Sequence, residues 1–172
     1  MKRAVEKEQF WDDRIDTAKK RGMLHHSIYE SPPELWKAME DRHKRIILEH
    51  VGSSESVLDI ACGYGRFSNY FDSSSYVGVD FSKSFINIAK ENNPNHKFTQ
   101  SRIETLPFGD YHFEWGFGVS IKAMIIRENG QDSWDVMEKE LRRVCKNLIF
   151  LEYSDGKGNH LVEDYEVIKH EN

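Results

Sequence analysis

Short β-forming runs alternate with helical ones from residue 56 to residue 153, and this alternation restricts the fold more than any other feature of the chain. The runs SVLDIA, SYVGVD, HKFTQ, FEWGFGVS and NLIFLEY predict five strands. Between them, YGRFSNYF predicts a short helix and KSFINIAKEN a helix capped by Ser82. DSWDVMEKELRRVCK predicts a third, with Trp134, Met137, Leu141 and Val144 on one face. LPFGDYH reads as a loop. Strands joined through helices run parallel, with right-handed crossovers. The expected fold is α/β, a doubly wound, mostly parallel sheet with helices on both faces.

Two helices are expected ahead of the sheet. VEKEQFWDDRIDTAKKRG has Val5, Phe10, Trp11, Ile15 and Ala18 as its apolar side and Gly22 as its stop. SPPELWKAMEDRHKRIILEHVG carries Ser31 as cap, Pro32 in the first turn and Glu34 to complete a capping box. Its apolar face is Leu35, Trp36, Met39 and Ile46, Gly52 ends it, and RHKR at 42–45 reads as a solvated face. The length, 172 residues, fits one domain, divided into a helical cover (1–52), an α/β core (53–153) and a short C-terminal segment (154–172). In that segment SDGKGN is turn-like and DYEVIK reads as one more strand.

The chain is acidic, with a formal charge of −5, which gives no support for a nucleic-acid partner. Two cysteines make no disulfide framework. No run approaches the ~20 apolar residues of a membrane span. A reducing cytoplasm is the expected compartment, with no membrane partner.

VLDIACGYGRF places a tight glycine turn at the carboxyl end of the first strand, where ligands of such sheets bind. Glycine there lets a ligand approach the main chain. Asp80 ends the second strand, 21 residues after Asp59, and a carboxylate at that position can accept from both ribose hydroxyls. A dinucleotide fingerprint needs a third glycine where Ser68 stands, and no Walker lysine follows the loop. The pattern suits a ligand with a ribose and a positive centre but no phosphate.

VLDIACGYGRF resembles the first motif of class I S-adenosylmethionine-dependent methyltransferases, which have a Rossmann-like fold. YVGVDFSKSFINIAKE is similar to their second motif, and QSRIETLPFGDYHFEWGFGVS to their third and fourth. The resemblance covers about residues 53 to 153. It implies S-adenosylmethionine as cofactor, with Asp59 organising the glycine loop and the cofactor's amino group. Ala61, Gly63 and Gly65 would line the methionine end, and Val119 and Ser120 would lie under the sulfonium. Asp80 would take the ribose hydroxyls, Phe81 would pack on the adenine, and Arg102, Ile103 and Glu104 would flank it. Arg102 stands where the family often has Asp, and Arg cannot accept a hydrogen bond. Adenine recognition then falls to main-chain groups, the Ile103 amide among them, or to stacking by Arg102. Trp11 and Arg14, at i and i+3 of the first helix, would close over the cofactor.

Methyl transfer from a sulfonium needs alignment, worth on the order of 7–11 kcal/mol in favourable cases, and a base only when the acceptor is protonated. No triad or zinc-type histidine spacing is required, and the sequence displays none. His25, His26 and Tyr29, in the loop between the first two helices, read as loop surface with a substrate-side role as the rival. Lys122 reads as solvated, Cys62 as a small buried filler, and Trp115, Phe117 and Phe150 as core. The motifs of exocyclic-base and cytosine-C5 methylation are missing, which favours a small-molecule acceptor, with protein and nucleic-acid (RNA) acceptors as the alternatives. Two rivals are a catalytically silent cofactor-binding partner subunit and a nicotinamide dehydrogenase. The family sheet adds two strands after the fifth, and residues 154–172 are too few for both, so an abbreviated edge is expected. An open edge invites self-association across a two-fold axis unless DYEVIK covers it alone.

Overall fold

The computed structural model describes residues 2–20, 33–152 and 165–170. Helix α1 (Lys2–Lys20) and helix α2 (Pro33–Val51) precede strand β1 (Val57–Ile60). Then follow β2 (Tyr76–Asp80), α3 (Lys83–Asn92), β3 (Lys97–Gln100) and β4 (Phe113–Val119). Two helices in succession, α4 (Lys122–Asn129) and α5 (Gln131–Val144), lead to β5 (Cys145–Leu151) and β6 (Tyr165–Lys169). The sheet order is β3-β2-β1-β4-β5-β6. The first five strands are parallel and β6 is antiparallel to β5. The order reverses at β1, so the carboxyl ends of β1, β2 and β4 open the crevice typical of doubly wound sheets.

Side chains alternate across the strands and fill two cores. Val57, Tyr76, Phe117, Ile149 and Leu151 pack with Ile47 and Val51 of α2 on one face. Leu58, Ile60, Val79, Leu148 and Phe150 pack with Trp134, Leu141 and Val144 of α5 on the other. Trp115, Phe117 and Phe150 are core, and Cys62 is a buried filler.

Several expectations need correction. YGRFSNYF forms only a 3-10 turn at Ser68–Tyr70. Its bonds are three-residue ones, Tyr70 N–H to Phe67 O and Phe71 N–H to Ser68 O. Buried Ser68 supplies the reason: both its amide and its hydroxyl donate to Gly65 O, which tightens the turn. Helix α4 was not foreseen. Its Ala123 amide donates to Glu152 Oε1 at 3.1 Å, a capping bond from 29 residues away that leaves no local signature. Phe10 is 51% exposed rather than part of an apolar face. RHKR is not simply solvated, because His43 is fully buried. Burial, with the Arg66 and Arg42 charges, lowers the His43 pKa to about 3.

Ser82 caps α3 as expected, accepting from the Phe85 amide at 3.2 Å. DYEVIK supplies β6, which pairs along β5 from Asn147 to Leu151, and the edge is abbreviated as expected. Lys122 forms an ion pair with Glu166 of β6. Gly22, His25, His26, Tyr29, Ser31 and Pro32 lie outside the described residues, as do the side chains of Val5, Ala18, Glu34, Leu35 and Trp36. No helix among the described residues is long and apolar enough to cross a membrane.

Candidate active site

The chain leaves β1 through Ala61 (φ 56°), Gly63 (φ 55°) and Gly65 (φ 77°), and leaves β4 through Ser120 (φ 59°). Left-handed backbone is costly for Ala and Ser, and its recurrence at two neighbouring strand ends marks a site held in a fixed shape. A Cβ on Gly63 would meet nothing nearer than Phe85 at 4.0 Å, so this glycine opens onto free space. A Cβ on Gly65 would lie 2.8 Å from the Phe98 ring and 3.1 Å from Asn93 Nδ2. Gly65 therefore serves packing and does not line the crevice, contrary to expectation.

Asp80 anchors this geometry. It is 6% exposed, with Oδ2 accepting from Gly63 N–H at 3.0 Å and Oδ1 from Ser82 N–H at 2.9 Å. The carboxylate thus ties the glycine turn to the start of α3 and still faces a cavity. Asp59 behaves differently. It is 2% exposed, points to the α2 side of the sheet, and accepts from the Tyr76 hydroxyl at 2.6 Å. Burial pushes its carboxyl up to about 7, against the Tyr76 hydrogen bond and the Arg66 charge. Asp59 does not line the cavity, and the carboxylate bonded to the glycine turn is Asp80.

Two adjoining cavities share Trp11, Ala61, Asp80 and Phe81. One continues past Gly63, Val119 and Ser120, and the other past Arg102, Ile103 and Glu104. Most of the expected residues therefore converge; Asp59, Gly65 and Arg14 do not. Arg14 instead lies over the Phe10 ring at 5.1 Å. The Arg102 guanidinium bonds Glu104 at 2.9 Å. Sequence reasoning missed Met124 and Ile125 of α4 and Met137 of α5, which line the same cavity as Phe81 and Ile103. For Met137 a signal existed, since it lies on the predicted apolar face; for α4 none did. The Ser120 hydroxyl is buried and has no hydrogen-bond partner, a donor held at the cavity wall.

Supporting contacts fix these walls. Trp11 reaches the site because α1 docks on α3: Ile15 is buried with Tyr64, Phe85 and Ile88, and Ser82 Oγ donates to Asp12 Oδ1 at 3.1 Å. The loop between the second 3-10 turn (Ile103–Thr105) and β4 is held by Arg143 of α5. Its guanidinium donates to the carbonyls of Leu106 and Phe108 and to the carboxylates of Asp110 and Glu140.

Comparison with known proteins agrees with this geometry. Residues 57–147 match a family described as "Methyltransferase domain". An uncharacterized methyltransferase of Synechocystis sp. is 35% identical over 79 residues, which cover 44% of this chain and 37% of that protein. The chain thus spans well under half the length of that relative. The crystal structure of the PH0226 protein from Pyrococcus horikoshii is similar at TM-score 0.60 and 24% identity, over 69% of this chain and 58% of that one. Haemonchus contortus phosphoethanolamine N-methyltransferase 1, in complex with phosphoethanolamine and S-adenosylhomocysteine, is similar at TM-score 0.66 and 17% identity, over 89% of this chain and 33% of that one. The family match spans more than half of the chain, which belongs to the class I S-adenosylmethionine-dependent methyltransferase domain family.

Proposed function

We propose that the protein binds S-adenosylmethionine in the crevice beside Asp80 and transfers its methyl group to a small-molecule acceptor. The observation that carries this reading is the Asp80 carboxylate, buried at a strand end and facing a cavity with otherwise largely apolar walls. The residues present fit the cofactor. The open cradle at Gly63 admits the main-chain approach of a ligand, the unpartnered Ser120 hydroxyl offers a polar contact, and Phe81, Ile103, Met124 and Met137 suit a planar base.

When bound, the cofactor supplies an electrophilic sulfonium methyl for in-line displacement. The chain's part is alignment and exclusion of water. Asp80 accepts from the ribose hydroxyls through lone pairs that its bonds to Gly63 and Ser82 leave over. Ala61, Gly63, Val119 and Ser120 surround the methionine end, and Trp11 covers it. Arg102 and Glu104, paired with each other, flank the adenine side, where the Ile103 amide is a donor to the base.

Among the described residues lining the methionine-end cavity, Asp80 is the only ionisable one. That suits an acceptor that attacks through a lone pair already free at neutral pH, because among the described residues no general base lines that cavity. By its name the Haemonchus contortus neighbour methylates a small molecule, which agrees with the size of the acceptor; its amine, an ammonium at neutral pH, is not of the free-lone-pair kind. The test uses S-adenosylmethionine labelled with tritium in the methyl group, the protein, and a heat-treated cell extract. Label is expected in the low-molecular-weight fraction with the wild type and not with Asp80→Ala. Cofactor binding without transfer to any fraction would overturn the enzymatic reading and favour a silent binding subunit.

A further inference from the structure

At the other end of the sheet, away from Asp80, lies a third cavity, of about 350 Å³. It sits where β4 and β5 begin and β6 ends. Its floor is apolar, made by buried Cys145 and Leu148 with half-buried Ile168. Its rim carries the cations Lys139 and Arg142 from α5 and Lys146 from β5, with His170 after β6 beside them. The sheet topology assembles this rim from separate segments of the chain.

The charges on the rim are not all spent. Arg142 is held by Glu138, with its Nε and Nη2 atoms 2.9 and 2.7 Å from Oε1. Arg143 is occupied by Glu140 and Asp110. Lys139 and Lys146 are exposed and have no acidic partner among the described residues. On a chain with a formal charge of −5, two uncompensated lysines beside one cavity form a local attractor for an anion.

Tyr111 adds a second, independent observation. It adopts φ 51°, which is unfavourable for a bulky residue, yet it is 46% exposed and fills no core. A 2.7 Å bond from its amide to Arg143 O holds it there. Its ring stands 5.0 Å from that of His170, centroid to centroid, at the cavity mouth. The turn thus holds a nearly half-exposed aromatic ring at the cavity mouth, where a flat ligand can reach it.

We propose that this cavity binds a nucleotide, with its phosphate between Lys139 and Lys146 and its base on Tyr111. Lysine serves as a point charge for phosphate, and stacking on an aromatic ring accepts any base. The nucleotide comes either free or within a single strand of RNA. The site is separate from the crevice at Asp80; blocking that crevice in the test rests on its reading as the cofactor site, whereas the lysine and Tyr111 variants report on this cavity alone.

The test is calorimetric titration with uridine monophosphate, with S-adenosylhomocysteine present in excess so that the crevice at Asp80 does not compete. The wild type is expected to bind, more weakly as salt rises. The double variant Lys139→Glu, Lys146→Glu should lose affinity by about tenfold or more while melting like the wild type. Tyr111→Gly should melt at the same or a higher temperature, since glycine relieves the left-handed strain, yet bind uridine monophosphate several-fold more weakly. A structural role alone would not separate those two readouts. Tighter binding of a ten-nucleotide oligouridylate than of the monomer supports the proposal with a strand as the source, and equal binding per site supports it with a free nucleotide. Absence of heat with both ligands would overturn it. So would inorganic phosphate binding as tightly as uridine monophosphate, or unchanged affinity in the lysine variant.

Discussion

Two carboxylates on neighbouring strands meet different surroundings, and their chemistry differs accordingly. Asp80 accepts from two backbone amides and faces the crevice. Asp59 is enclosed beneath the sheet with Tyr76, and burial raises it from 3.8 to about 7. A raised carboxyl stabilises the fold below the unfolded pKa, and that contribution is lost as pH rises through the folded one. His43, lowered from 6.5 to about 3, works the other way, and its contribution is lost as pH falls from 6.5 toward 3. The two oppose each other between pH 4 and 6.5. Asp59→Asn should therefore melt at a temperature that climbs with pH across that window more steeply than in the wild type; parallel melting profiles would contradict the assignment. The glycines separate in the same manner. Gly63→Ala should cost roughly 1–2 kcal/mol of stability through its left-handed backbone and weaken S-adenosylhomocysteine binding. Gly65→Ala should destabilise more, because its Cβ meets Phe98, and the folded fraction should bind as before. Calorimetry and thermal melts on both variants distinguish the roles. Asp80 was legible in the sequence because strand end and spacing define its position. The enclosure of Asp59 and the packing of Gly65 depend on Tyr76 and Phe98, whose proximity exists only after folding.

At the scale of elements, the strands were legible because each is a short β-forming run, and DYEVIK was legible for the same reason. Helix α4 was not, since its cap comes from Glu152 and its apolar residues show little periodicity. The turn after Gly65 was overread as a helix because aromatic spacing in YGRFSNYF mimics a helical face, while Ser68 folds back onto Gly65. The importance of α4 is that Met124 and Ile125 form a wall of the site, so local silence hid part of the cavity. Among its described side chains, helix α1 meets the body chiefly through Trp11, Ile15 and Asp12. Few buried apolar contacts place such an element at the low-stability end of a molecule. We expect the amides of residues 10–16 to exchange more slowly when S-adenosylhomocysteine is present. Equal protection in both states would make α1 ordinary scaffold.

For the whole molecule, the sheet carries cavities at both ends: the crevice at the carboxyl ends of β1, β2 and β4, and the lysine-rimmed cavity where β4 and β5 begin. Strand β6 closes the side of β5, and its own outer edge carries Glu166 and Lys169, charges of the kind that discourage edge pairing. Deleting residues 160–172 should expose β5 and turn the protein into aggregates by light scattering, whereas an unchanged scattering mass would show that β6 protects nothing. A mass of twice the monomer for the intact chain would instead assign the open edge to a homodimer. The central claim is that Asp80 anchors S-adenosylmethionine beside the glycine turn, and calorimetric titration with S-adenosylhomocysteine tests it most directly. One site per wild-type chain is predicted, with affinity falling about tenfold or more in Asp80→Ala, from the loss of roughly 1.5–3 kcal/mol of hydrogen bonding to a charged group. No binding by the wild type, or equal affinity in a variant shown to be folded by circular dichroism, would contradict it.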